Sequence, residues 1–131
     1  DEQRLNWIFD LFPPLKKFWN RPAGNLSGGQ KQMLAIARAV IEPRELLLVD
    51  EPTKGLAPAI INDLADAFEQ LKQQRVSILL VEQNFNFSRR LGQSVAVMND
   101  GGVVYSGQMA ELADNEELQH DLLGLGLGAH Q

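Results

Sequence analysis

Residues 26–30 read Leu26-Ser27-Gly28-Gly29-Gln30, and residues 46–51 read Leu46-Leu47-Leu48-Val49-Asp50-Glu51. The first stretch opens a helix: Ser27 can accept from the backbone N–H three residues on, and Gln30 can reach back, which is a capping box. A cap alone does not want two glycines in the first turn, since each costs about 1 kcal/mol against alanine. Removing two Cβ atoms lets a bulky ligand touch the backbone. The N–H groups at the helix start then suit a phosphate. The second stretch is a short apolar run, expected of a parallel strand buried on both faces. It ends in two carboxylates at the edge where open α/β sheets bind ligands. Asp50 can hold a hydrated Mg²⁺, which needs few protein oxygens. Glu51 can orient or deprotonate an attacking water. Taken alone, two solvated turn residues before Pro52 are the simpler reading of that pair.

Outward from these stretches the chain reads as alternating helices and strands. Leu5, Ile8, Phe9 and Phe12 recur at helical spacing, and Pro13-Pro14 ends that helix. Residues 16–19 suggest a further turn, and residues 21–25 a loop. The helix after the glycines runs over 30–41, with Met33, Leu34, Ala37, Val40 and Ile41 as its apolar stripe. A second amphipathic helix spans 58–71, carried by Ile61, Leu64, Ala67, Phe68 and Leu71. A buried strand comes next at 77–81, then a short helix at 84–91. Residues 95–105 read as a β-hairpin turning at Asn99-Asp100-Gly101-Gly102. Residues 111–123 read as a helix broken near Asp114. Gly124, Gly126 and Gly128 mark residues 124–131 as a flexible tail. The order predicts an α/β fold, with parallel strands joined by crossover helices and a C-terminal β-hairpin with helices.

Composition excludes several classes. The 131 residues are 44% hydrophobic and 22% charged, within the range of one folded globular unit at most. A net charge of −5 argues against broad nucleic-acid binding but leaves room for a local anion site built of N–H groups. With no cysteine there are no disulfides, thiolate metal sites or cysteine nucleophiles. No apolar run approaches a membrane span, and no signal peptide is visible. The sequons at Asn25 and Asn86 are therefore read as chance. The sequence begins at Asp1 inside a helical pattern, which reads as a piece of something longer.

A glycine-rich helix start, one helix, and an apolar strand ending in Asp-Glu form a specific order. In that order the chain resembles the nucleotide-binding domain of ATP-binding cassette (ABC) proteins. Residues 26–30 match that family's signature sequence, and residues 46–51 match its Walker B strand, with Glu51 at the position of the catalytic glutamate. The resemblance runs to about Leu123. The fold it implies is a partial P-loop NTPase-like domain. Residues 1–25 would end a helical subdomain, and residues 26–123 would form the C-terminal part of the nucleotide-binding domain. Two departures narrow the family. Ala57, within Pro52-Thr53-Lys54-Gly55-Leu56-Ala57-Pro58, stands where many relatives have an aspartate that makes a contact across the dimer. Gln83, within Val81-Glu82-Gln83-Asn84, stands where the switch histidine usually sits. Glutamine can hydrogen-bond a γ-phosphate but cannot act as an acid or base. His120 and His130 both lie too far toward the C-terminus to replace it. These two segments look like the ATP-binding subunits of branched-chain amino acid importers, or of a related urea and short-amide branch.

The resemblance implies ATP and Mg²⁺ as cofactors. Asp50, Glu51 and Gln83 would serve the ATP of their own subunit, and Leu26, Ser27, Gly28, Gly29 and Gln30 the ATP of a second nucleotide-binding subunit. The partners would be that second subunit, in a homo- or heterodimer, and transmembrane permease subunits. The protein would sit in the cytoplasm on the inner face of the cell membrane. Of nine aromatic residues, Trp7, Phe9, Phe12, Phe18 and Trp19 fall in the first nineteen positions. Core of a small helical unit is the simpler reading, and a permease-facing surface is the reading the family adds. No Gly-x4-Gly-Lys-[Ser/Thr] loop occurs. Without that phosphate cradle the chain alone is expected to be inactive, and without the strands that the family places before it, an edge or apolar face of its sheet is expected to be open and to drive self-association. The alternative is a soluble, non-transport ABC ATPase that uses ATP as a conformational switch.

Overall fold

A computed structural model describes residues 1–124. They divide into two compact units, with the division between Asn84 and Phe85. The tail expected at 124–131 lies, apart from Gly124, outside the described residues.

The first unit begins with α1 (Glu2–Leu11), capped by the Asp1 carboxylate accepting from the Gln3 N–H. The prolines end α1 as expected, and they also start α2 (Pro13–Lys17), because proline is pre-shaped for a first helical turn. Ile8, Leu11, Phe12 and Leu15 are buried, whereas Trp19 is half exposed and meets Phe9 edge to face. Arg4 ties α1 to the end of the next long helix. Its guanidinium donates to the Val40 and Ile41 carbonyls at 2.6 and 2.9 Å and lies 4.1 Å from the Trp7 ring centroid. A C-terminal carbonyl pair is where a cation is most favourable.

After a 3₁₀ turn at Ala23–Asn25 come α3 (Gly28–Val40), β1 (Leu46–Asp50), α4 (Pro58–Gln73) and β2 (Ser77–Val81). The buried face of α3 is Gly29, Met33, Ile36, Ala37 and Val40. Ile36 thus replaces Ile41, which is exposed past the helix end. In α4 the buried residues are Leu64, Ala65, Ala67, Phe68 and Leu71. Strands β1 and β2 pair in parallel, from Leu46 opposite Ser77 to Asp50 opposite Val81, with α4 as the crossover. The expected α/β architecture is present.

The expectation that β1 is buried on both faces is not met. Leu47 and Val49 are buried, but Leu46 and Leu48 are 57% and 67% exposed. On β2, Leu79 and Val81 are likewise 59% and 55% exposed. Strand residues alternate faces, so these four side chains share one side of the sheet. Among the described residues only the other side is covered, which is why the run shows alternation in place of continuous burial.

The second unit holds α5 (Phe85–Leu91), the antiparallel pair β3 (Ser94–Asn99) and β4 (Gly102–Gln108), α6 (Met109–Ala113) and α7 (Glu116–Leu123). Asp100 and Gly101 both have positive φ, +49° and +79°, as a two-residue hairpin turn requires. A register shift after Val97 leaves Val104 as an extra residue, a β-bulge. Val97, Met109 and Leu112 form the buried core of this unit. The helical break falls at Asp114, and Asn115 caps α7 by accepting from the Leu118 N–H at 2.9 Å.

Fully burying a leucine or valine is worth about 1.5–3 kcal/mol. The 131-residue chain should therefore self-associate through the Leu46, Leu48, Leu79 and Val81 face. Light scattering across a concentration series should show assembly that Leu79→Lys disperses. A clean monomer at high concentration would count against it.

Candidate functional site

The residues singled out in the sequence fall at two places in the first unit. The first is the start of α3. Ser27 has an extended backbone, as an N-cap must, and its Oγ accepts from the Gln30 N–H at 3.2 Å. The Gln30 Oε1 accepts from the Ser27 N–H at 3.0 Å, so the capping box is complete. Leu26 is buried and anchors the entry to the helix.

The two glycines are not equivalent. A Cβ on Gly29 would lie 2.6 Å from Cγ2 of Ile60 and 3.5 Å from its Cβ, on α4. The missing side chain there lets α3 and α4 approach each other. A Cβ on Gly28 would meet only Leu56 Cδ2 at 3.8 Å, an ordinary contact, and Gly28 is exposed. Gly28 is thus the glycine whose bareness serves nothing within the described residues and remains open to a ligand.

The second place is the carboxyl end of the β1–β2 pair. Asp50 closes β1 and is exposed opposite Val81. The Glu51 N–H donates to the Val81 carbonyl at 2.7 Å, which extends the ladder one residue beyond the strand. Glu51 itself adopts φ +46°. A non-glycine residue in the left-handed region is held there by its surroundings, at a cost of order 1–3 kcal/mol. Pro52 and Thr53, both buried, come immediately after it. The Glu51 carboxylate lies 3.9 Å from the Lys54 ammonium, a partly solvated pair. Gln83, exposed, sits two residues beyond the end of β2. Parallel pairing therefore carries Asp50, Glu51 and Gln83 to the same end of one sheet.

Sequence reasoning misses two residues of this site, Thr53 and Glu82. Glu82 accepts from the Thr53 Oγ and N–H at 2.8 and 3.3 Å, and from its own next backbone groups at Gln83 and Asn84 at 3.0 and 3.1 Å. Thr53 and Glu82 are far apart in the chain, and only strand pairing joins them. The local signal is a carboxylate immediately before a turn, which favours capture of the next N–H groups.

Chemically, Asp50 offers the hard oxygen that Mg²⁺ takes together with its waters. Glu51 offers an acceptor for a water proton, and Gln83 offers a donor for a phosphate oxygen. Among the described residues no group of three or more His, Cys, Asp or Glu side chains could hold a metal.

Residues 2–54 match the family model described as ABC transporter. The chain is also 40% identical over 121 residues to BraG of Pseudomonas aeruginosa, a high-affinity branched-chain amino acid transport ATP-binding protein. Its similarity is to ATP-binding proteins of ABC transporters. It is 34% identical over 125 residues to LivF of Archaeoglobus fulgidus, a probable branched-chain amino acid transport ATP-binding protein. These alignments cover 92% and 95% of the chain but 52% and 53% of the relatives, so the chain spans about half the length of the curated relatives it matches. In structure it is similar to MJ1267, an ATP-binding cassette of an ABC transporter, in its ADP conformation. That match has a TM-score of 0.76 at 25% identity and covers 98% of this chain and 52% of the other. The partial ABC ATPase fold accounts for the sheet end on which Asp50 and Glu51 sit.

The contrast between the glycines can be tested. Gly29→Ala should lower stability by about 1–3 kcal/mol through overpacking against Ile60, outweighing its gain in helix propensity. Gly28→Ala should leave thermal stability unchanged or slightly higher. Equal losses of melting temperature in the two variants would refute this division.

Proposed function

We propose that this chain is the signature-bearing part of an ATP-hydrolysing subunit of an ABC importer for branched-chain amino acids. The observation that carries the reading is the convergence of Asp50, Glu51 and Gln83 at one end of the β1–β2 pair. The names of BraG and LivF support the substrate class. Asp50 would hold Mg²⁺, which supplies neutralisation of phosphate charge. Glu51 orients the attacking water and takes its proton, and Gln83 donates to the γ-phosphate. Because a glutamine amide donates hydrogen bonds but cannot act as an acid or base, the acid–base work falls on Glu51 alone.

Ser27, Gly28 and Gln30 present the start of α3 to ATP held by a second nucleotide-binding subunit, and Leu26 and Gly29 keep that helix start in place. Two such subunits would close over two ATP molecules and drive permease subunits in the membrane. Residues 1–25 would end the helical subdomain that meets the permease. Leu15, Phe18, half-exposed Trp19, Leu26 and Leu34, with Arg21 and Ala23, line an open cleft of about 180 Å³ there. That lining, apolar apart from Arg21, suits a helix from a membrane subunit. Among the described residues no helix is long and apolar enough to cross a membrane. The protein would reach the inner face of the membrane through its permease partners.

Glu51→Gln in the complete subunit should leave ATP binding intact and trap ATP-bound dimers, measured by size-exclusion chromatography with Mg-ATP. Unchanged steady-state hydrolysis in that variant would remove Glu51 from its role. Copurification with ribosomes in place of permease subunits would favour a soluble ABC switch.

The 131 residues alone have no Gly-x4-Gly-Lys loop and should neither bind nor hydrolyse ATP. Calorimetry with Mg-ATP should register no saturable heat. Micromolar binding at one site would show that the missing cradle is dispensable.

A further inference from the structure

We infer that Glu82 is a positioning residue that fixes the Gln83 turn against the Glu51 turn. The inference rests on the hydrolytic reading proposed for Glu51 and Gln83 and adds to it a residue that reading does not use. The two oxygens of Glu82 divide their work. Oε2 accepts the Thr53 hydroxyl at 2.8 Å and the Thr53 N–H at 3.3 Å. Oε1 accepts the N–H groups of Gln83 and Asn84 at 3.0 and 3.1 Å. One planar, rigid carboxylate thus holds both loops that leave the sheet end. Glu51 lies two residues before Thr53, and Gln83 one residue after Glu82.

Neither loop is long enough to ignore this tie. Pro52 and Thr53 are buried, so the first loop is anchored from below. Glu51 is further bound by its N–H to the Val81 carbonyl at 2.7 Å. The Gln83 side chain is exposed and is located only by its backbone. The Oε1 side of Glu82 locates that backbone. Bonds to an ionised acceptor are the strong ones, and four donors on one carboxylate leave it little freedom to turn. The hydroxyl of Thr53 matters for the same reason: it is the shortest of the four.

The chemistry of the side chain gives a clean test. Glutamine has the same shape but only one acceptor oxygen, so Glu82→Gln can hold one loop and must present an NH₂ to the other. Thr53→Val removes the shortest bond and keeps the volume, and Thr53→Ser restores the hydroxyl.

In the 131-residue chain, amide hydrogen exchange at Gln83 and Asn84 or at Thr53 should quicken about tenfold or more in Glu82→Gln. In the complete subunit, Glu82→Gln and Thr53→Val should each lower kcat for ATP by about 10–100-fold with KM changed little, and Thr53→Ser should recover most of the loss. The double variant should lose less than the product of the two single losses.

Unchanged exchange at all three amides would overturn the clamp. Altered exchange with normal kcat, in a subunit that Glu51→Gln inactivates, would overturn its positioning role. If Glu51→Gln also leaves turnover untouched, the hydrolytic reading falls and the positioning role with it, while the exchange data still report the clamp. Should Glu82→Gln fail to fold, the Thr53→Val and Thr53→Ser pair decides the matter by the same kcat and KM comparison.

Discussion

Parallel pairing of β1 with β2 is the constraint on which the first unit depends. Two strands with a helix between them have their carboxyl ends side by side, so the loops leaving the two strands must meet. The register sets the meeting point: Asp50 stands opposite Val81, and the Glu51 N–H bonds the Val81 carbonyl. A slip of one residue would turn Leu47 and Val49 outward and carry Glu51 to the wrong side of Gln83. The burial pattern resists that slip, since Leu47 and Val49 are the buried side chains of β1. The meeting of the two loops is therefore secured by the buried hydrophobic residues of β1.

The start of α3 illustrates how one short sequence meets two demands. Gly29 is required by the approach of Ile60, and Gly28 is left bare without a packing reason. The capping box holds both in place by closing Ser27 and Gln30 on each other. Each glycine lowers helix propensity by about 1 kcal/mol, and a box of this kind returns a comparable amount. The helix start is thus capped on both sides of the box even though its composition favours fraying.

Much of this is legible in the sequence because the signals are local. The capping box is a four-residue pattern, the prolines and glycines mark helix ends, and Asp100-Gly101 names its turn. The parallel pair is implied by the strand–helix–strand order. Other features are not legible because they arise between distant segments. Continuous hydrophobicity in β1 predicts burial on both faces, but a sequence does not say how many layers cover a sheet. Ile36 is buried and Ile41 exposed because α3 ends at Val40, one residue before the last apolar position. Gly29 reads as a ligand contact in the sequence because Ile60 is far along the chain. Glu82 is not singled out in the sequence because its partner, Thr53, becomes its neighbour only when the strands pair.

The left-handed conformation of Glu51 depends on the same pairing and connects the fold to the chemistry. A residue that left the strand in extended conformation would carry its carboxylate away along the strand direction. At φ +46° the chain turns at once, its N–H stays on the Val81 carbonyl, and Pro52 and Thr53 drop into the interior. The turn is expensive for a side chain with a Cβ, so buried groups on its far side must hold it. Thr53 is that hold, through the Glu82 carboxylate and its own burial. The left-handed turn at Glu51 and the tie at Glu82 thus belong to one arrangement: the backbone bends as it leaves β1, and a second carboxylate, on the neighbouring strand's loop, accepts from Thr53 two residues on.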